Sequence, residues 1–197
     1  KAKNFKRSEQ LFGTLVALGP RSSLHAVGLS GRGWSLFENK RYTAAAEAFG
    51  KVVELYPKHD LAAEAAYKSA ESYEKAKNSP KAAAAFRLVA RSYAKSAFAF
   101  LAARRSARLL AKQKKTVEAD AAFSALLEQF PKAKDRDTLL YEWAVLHADA
   151  GDFKSADGIY RRLISESPKS SWADDARFAL AESDLVAGRL DAAAESF

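Results

Sequence analysis

The chain has 197 residues, 48% hydrophobic and 28% charged, with a formal net charge of +8. This balance excludes a disordered chain and a membrane-embedded one, and no apolar run approaches the ~20 residues a membrane helix needs. There is no cysteine, which excludes disulfides, thiolate zinc sites and cysteine nucleophiles.

The chain opens Lys1-Ala2-Lys3 without a Met and ends at Phe197 inside a helical pattern. It reads as a fragment, so a signal peptide, lipid anchor or neighbouring domain would lie outside it. The first element, about Lys6 to Leu18, reads as a lone helix carrying Phe12, Leu15 and Val16.

From there the chain repeats itself every 37 residues. The phrases Gly19-Pro20-Arg21, Tyr56-Pro57-Lys58, Tyr93-Ala94-Lys95, Phe130-Pro131-Lys132 and Ser167-Pro168-Lys169 are spaced by that period. Ala45, Ala82, Ala119, Ala156 and Ala193 form a second column. Four residues on come Phe49, Phe86, Phe123, Tyr160 and Phe197, with Phe12 one period earlier. A small-residue column precedes the alanines: Gly33, Ala70, Ala107, Ala144 and Ala181. Val52, Val89, Leu126 and Leu163 follow the aromatics. Fixed periods of this length mark repeat architectures.

Each column has a physical reading. Two breaks per period make two helices and two turns. In the second copy the first helix runs from Asp60 to about Lys75 and the second from Pro80 to Tyr93. The small residue lets a neighbouring helix approach. Alanine and ring, four apart, share one helix face. Proline ends the second helix, because the residue before it is pushed out of the helical region. Ser79 before Pro80, Gly151-Asp152 and Ser171 are candidate helix starts.

The run of small residue, Tyr73 three on, alanine, aromatic four on and then proline resembles the tetratricopeptide repeat, stretched from 34 to 37 residues. Ala70/Tyr73/Ala82/Phe86, Gly33/Ala45/Phe49/Pro57 and Ala144/Ala156/Tyr160/Pro168 carry the resemblance best. It implies an all-α fold, a right-handed solenoid of antiparallel helix pairs, about five repeats with incomplete ends. Their bounds are 1–21 (second helix only), 22–58, 59–95, 96–132, 133–169 and 170–197 (incomplete), in one domain over 1–197. Phrases such as "YPKHDLAAEAAYKSAESY" resemble the 37-residue subtype of bacterial cell-envelope proteins, such as outer-membrane assembly lipoproteins and division coordinators. The resemblance therefore implies a periplasmic or envelope location. Several positions depart from the pattern. Arg32, Ser69 and Ser106 stand where it wants a large apolar side chain, His147 and Asp184 stand at the Tyr73 position, and Ala94 replaces a proline.

No nucleotide-binding, metalloprotease or nucleophile-elbow motif is present. "GLSGRG" at 28–33 looks like a phosphate loop, but no Lys-Ser/Thr pair follows it, and Gly33 belongs to the small column. The other two glycines are expected to weaken this helix and make the first copy mobile. His25, His59 and His147 lie in different copies with no i, i+4 pair, which points away from a metal site. His147 reads as a packed neutral ring. Asp135/Asp137 and Asp174/Asp175 fall at helix starts, where the macrodipole favours them. The reading is of a non-enzyme with no cofactor and no metal.

Charge is segregated. Residues 1–115 hold 23 Lys and Arg against 8 Asp and Glu, a net +15, and residues 116–197 carry a net −7. Between Lys75 and Lys115 there are 12 basic residues and no acid. Arg104, Arg108, Lys112 and Lys115, spaced 4, 4 and 3, share one helix face. In tetratricopeptide arrays the first helices line a concave groove. The resemblance then places Trp34, Tyr67, Glu71, Arg104, Arg108, Lys112 and Tyr141 in it, with Glu71 opposing an anion. A basic centre flanked by aromatics suits an acidic peptide with apolar anchors. The leading reading is a non-enzymatic scaffold for a protein or peptide partner in an envelope complex. The alternative is the helical accessory domain of a larger cell-wall enzyme. Nucleic acid is disfavoured, since the basic face lacks an RNA-binding motif. The charge split also allows head-to-tail self-association.

Overall fold

The pattern of alanine, ring and aliphatic residue at helical spacing folds as helices throughout. The computed structural model describes residues 5–190 and Ala193, apart from the Lys6 side chain. The helices are α1 (Phe5–Ala17), α2 (His25–Glu38), α3 (Tyr42–Leu55), α4 (Ala62–Lys75), α5 (Ser79–Ser92), α6 (Ala99–Lys112), α7 (Thr116–Gln129), α8 (Arg136–Asp149), α9 (Phe153–Glu166) and α10 (Ser171–Val186). No strand occurs among the described residues. The expected all-α architecture of antiparallel helix pairs is what forms. Phe197 lies outside the described residues, while Ala193 of the alanine column is described and buried.

The helices fall into two compact units, Lys1–Gln113 and Lys114–Phe197. In the first, α1 to α6 pack in chain order, each against the next. In the second, α8 packs on α7 and α9, and α10 on α9 and more lightly on α8. The repeat columns are the cores of both. Ala45, Ala82, Ala119 and Ala156, Phe49, Phe86, Phe123 and Tyr160, and Val52, Val89, Leu126 and Leu163 are all buried. So are the small residues Ala70, Ala107, Ala144 and Ala181. Burying one such ring or branched side chain contributes about 1.5–3 kcal/mol.

The recurring Tyr-Pro phrase has a bonding role. Tyr56 Oη donates to the Pro20 carbonyl and Tyr93 Oη to the Pro57 carbonyl, each at 3.2 Å. Each staple ties the end of one second helix to the end of the previous one. Ala94 in place of proline changes nothing at the helix end: Tyr93 closes α5 at φ −123°, as Phe130 closes α7 at −125°.

The departures from the pattern are satisfied locally. Ser69 Oγ donates to the Ala46 carbonyl and Ser106 Oγ to the Ala83 carbonyl, both at 2.9 Å and both buried. In the same column Trp143 Nε1 donates to Asp120 at 2.8 Å. Each copy thus hydrogen-bonds to the second helix of the copy before it. Asp184 is buried against Arg189, which donates to it at 2.7 Å.

Three expectations need correction. The cap of α5 is Asn78, which accepts from the Lys81 amide, and Ser79 is already helical. Ser170, not Ser171, caps α10, while Asp152 caps α9 as expected. The glycines of "GLSGRG" do not loosen α2, which runs unbroken from His25 to Glu38. A Cβ at Gly31 would lie 2.3 Å from the Phe12 ring, and one at Gly28 2.7 Å from Leu15 Cβ. They are the places where α1 approaches α2 too closely for any side chain.

One repeated feature is invisible in the columns. The turn from first to second helix always contains a residue in the left-handed region: Lys40 (φ 61°), Lys77 (59°), Lys114 (55°), Gly151 (78°) and Gly188 (73°). At Lys40 the amide donates to the Phe37 carbonyl and the Arg41 amide to the Leu36 carbonyl, at 2.9 Å each. The Lys77–Asn78, Gly151–Asp152 and Gly188–Arg189 amides repeat this double bond. It is the Schellman closure, which satisfies the orphan carbonyls of a helix end.

Candidate functional site

In the first unit, α2, α4 and α6 present their side chains to one another across one face. Lys68 Nζ lies 4.5 Å from the centre of the half-buried Trp34 ring and 2.7 Å from Glu71 Oε2. Arg105 lies at the centre. It donates to Tyr67 Oη at 3.0 Å and to Glu71 at 3.3 Å, and pairs with Glu74 at 3.1 Å. Its guanidinium also lies 5.0 Å from the Phe86 ring centre. Tyr67 is 9% exposed, with one ring face stacked on Phe98 at 5.2 Å. What Tyr67 offers this face is its hydroxyl, already engaged.

The electrostatics follow from this geometry. Burial raises the Glu71 carboxyl, but hydrogen bonds and charge from Lys68 and then Arg105 outweigh it, and the group sits below its ordinary value. Burial lowers the Arg105 guanidinium, while Tyr67, Glu74 and Glu71 raise it by a larger sum. Glu71, expected to oppose an anion on this face, is thus bound to two cations. Such half-buried pairs hold their geometry better than surface pairs do.

Arg104 and Arg108 stand four residues apart on α6 and are both half-buried, and Lys112 is exposed at its end. Helix α6 carries four cations and no carboxylate. Lys115 does not belong to their face. α6 stops at Lys112, and Lys115 is the N-cap residue of α7, 3.9 Å from Glu118. Sequence reasoning also passed over Arg105, the residue that holds the face together. A signal was available, since Lys68 and Arg105 are one period apart and both basic.

The second unit holds Tyr141, stacked on Trp172 at 4.4 Å and tilted against Tyr160 at 5.9 Å. Burial raises the Tyr160 phenol to about 12, with Tyr141, Asp149 and Asp157 adding to the shift. Burial and then Asp175 raise Tyr141. Tyr141, Phe153, Tyr160 and Phe178 line a cleft of about 930 Å³ rimmed by Asp175 and Glu182. Its lining is aromatic, with Lys154 and Arg189 beside the carboxylates, unlike the face of α6.

His147 is buried as expected, but it is not simply a packed ring. Nε2 lies 2.7 Å from Asp120 and Nδ1 3.3 Å from Asp152. The histidine therefore ties α7, α8 and the cap of α9. No cluster of three or more metal-ligating side chains occurs among the described residues.

Tandem helix pairs built on alanine and aromatic columns, closed by the same turns, define a helical-repeat protein. The chain belongs to the tetratricopeptide repeat family, whose profiles match residues 1–60, 30–97, 102–133 and 138–170. No curated protein sequence matches it significantly. Its fold is similar to that of MamA (TM-score 0.60, 16% identity, over 84% of this chain and 90% of that one). It is also similar to YrrB, described as a TPR protein with an unusual peptide-binding site (0.60, 18%, over 88% and 83%). A third similar structure is BtubC from P. vanneervenii (0.59, 15%, over 98% and 85%). At these identities the likeness is one of fold.

Proposed function

We propose that this chain is a non-enzymatic scaffold that holds a protein or peptide partner of acidic character on the face formed by α2, α4 and α6. One observation carries the reading. Helix α6 bears Arg104, Arg105, Arg108 and Lys112 and no carboxylate, while Glu71 and Glu74 of the neighbouring helix are engaged by Arg105. Arg105 is locked in place by its partners, and the basic side chains of this face are concentrated on α6. Guanidinium groups on a rigid helix suit carboxylates, and Trp34 beside them suits an apolar anchor. The family supports the reading, since it is one of interaction scaffolds, and so does the peptide-binding site in the description of YrrB.

The 37-residue spacing leads us to assign the scaffold to a bacterial envelope assembly. The charge split of the chain, +15 over residues 1–115 and −7 over the rest, favours head-to-tail pairing of copies. Sedimentation at low salt and high concentration tests that part, and a strictly monomeric species would remove it. The groove is tested by Arg104→Glu/Arg108→Glu. The expected result is loss of partner capture with unchanged helicity, and undiminished capture would take the arginines out of the account.

A further inference from the structure

The lysines in left-handed turns stand where glycine would carry no conformational cost. Any residue but glycine pays for that conformation; the second unit uses Gly151 and Gly188 at two of these turns and repeats the lysine at Lys114. The first unit keeps Lys40 and Lys77 there, both exposed and without an ion pair among the described residues. A residue held at conformational cost points to a use for its side chain.

The surroundings of these turns are consistent. Trp34 of α2 meets Lys68 of α4, and one period later Glu71 of α4 meets Arg105 of α6, so α2, α4 and α6 run parallel and in register. Their C-terminal ends, with the N-terminal ends of α3 and α5, form one edge of the unit. That edge carries Lys40, Lys75, Lys77, Lys81 and Lys112, all exposed. Arg41 is tied to Glu9 at 3.0 Å and Glu74 to Arg105 at 3.1 Å. Glu38 is the remaining exposed carboxylate of the edge. Lys75 and Lys112 end helices, where the macrodipole favours a cation. Lys40 and Lys77 follow the C-caps of α2 and α4, where the same preference acts against the cost of a left-handed backbone.

We propose that this lysine edge adsorbs the protein to an anionic lipid surface, with Lys112 at the end of α6 shared with the partner face. Ammonium groups are strongly hydrated point charges without the fixed fork of arginine. They suit a diffuse, laterally mobile layer of anionic headgroups rather than one discrete phosphate or carboxylate. Five lysines fall within the cluster size that recognises anionic bilayers, each contributing roughly a fivefold gain near the surface. No described helix is long and apolar enough to cross a membrane, so the association is peripheral and screened by salt.

The test is co-sedimentation of the full chain with vesicles of phosphatidylcholine containing about 30 mol% phosphatidylglycerol, beside pure phosphatidylcholine vesicles. The expected result is binding to the anionic vesicles alone, lost as salt is raised. Lys40→Gln/Lys77→Gln should weaken it about twenty-five-fold, as two fivefold losses. Lys40→Gly/Lys77→Gly should weaken it equally while raising the melting temperature, a pairing that a merely structural lysine would not produce. The proposal is overturned if anionic vesicles do not bind at low salt, or if neutral vesicles bind as well. It is also overturned if both variants bind like the wild type, or if a nucleic-acid duplex binds more tightly than the vesicles through the same two lysines.

Discussion

Replacing Lys77 by glycine should make the protein more stable, although it deletes a long side chain and adds the most flexible residue. The backbone at Lys77 has φ 59° and closes the end of α4 with the Lys77 and Asn78 amides. A side chain with a Cβ costs about 1–2 kcal/mol in this region. Glycine removes that cost and gives back about 0.4–1 kcal/mol through the freer unfolded chain. The net gain is about 0.5–1 kcal/mol per site, the same at Lys40, and the two sites should add because they lie in different turns. Gly151→Ala is the mirror experiment and should cost about 1 kcal/mol, since Gly151 has φ 78° and its Cβ would meet nothing within 4 Å, leaving only the backbone term. Urea melts followed by circular dichroism at 222 nm read all three, with the m-value unchanged. Should Lys77→Gly destabilise, or Gly151→Ala prove neutral, the backbone reading of these turns is wrong.

Three further predictions test the packing and the charge pairs. Gly31→Ala places a methyl against Phe12 and should cost about 1–3 kcal/mol, seen first as faster hydrogen exchange in α1. Arg105→Met should cost about 1–3 kcal/mol because it strips Glu71 and Glu74 of their shared partner, and Glu71→Gln should recover part of it in a double-mutant cycle. The Glu166 carboxyl is held at about 2, chiefly by the hydrogen bond from Arg136, with Arg162 adding to it. A depressed carboxyl contributes stability that is full above its unfolded pKa, ordinarily near 4.5, and is lost as pH falls toward 2. Allowing for solvent screening, that contribution is about 1 kcal/mol, and acid titration of Glu166→Gln should lack this component.

The helices, their pairing and their cores were legible because packing restricts side-chain size at each position. A 37-residue period leaves alanine opposite a ring at Ala82 and Phe86 in every copy, and both are buried. The left-handed turns were not legible, because lysine at 40, 77 and 114 carries no sign of positive φ. Gly28 and Gly31 were misread as weak points, since their role depends on α1, whose distance from α2 no local pattern encodes. Ser69 and Ser106 looked like defects until the Ala46 and Ala83 carbonyls appeared beside them. On the candidate face, helical spacing placed Arg104, Arg108 and Lys112 on one helix, as α6 has them. It missed Arg105 because that residue's partners lie on α4, and it overran the helix end at Lys115.

The central claim is that the α6 face binds an acidic protein partner. It is tested most directly by affinity capture from source-cell lysate with the wild type and Arg104→Glu/Arg108→Glu side by side, matched in helicity and identified by mass spectrometry. The account predicts a protein retained by the wild type and lost by the variant, with the contact mapping to an acidic segment. Identical captures by the two proteins would contradict it.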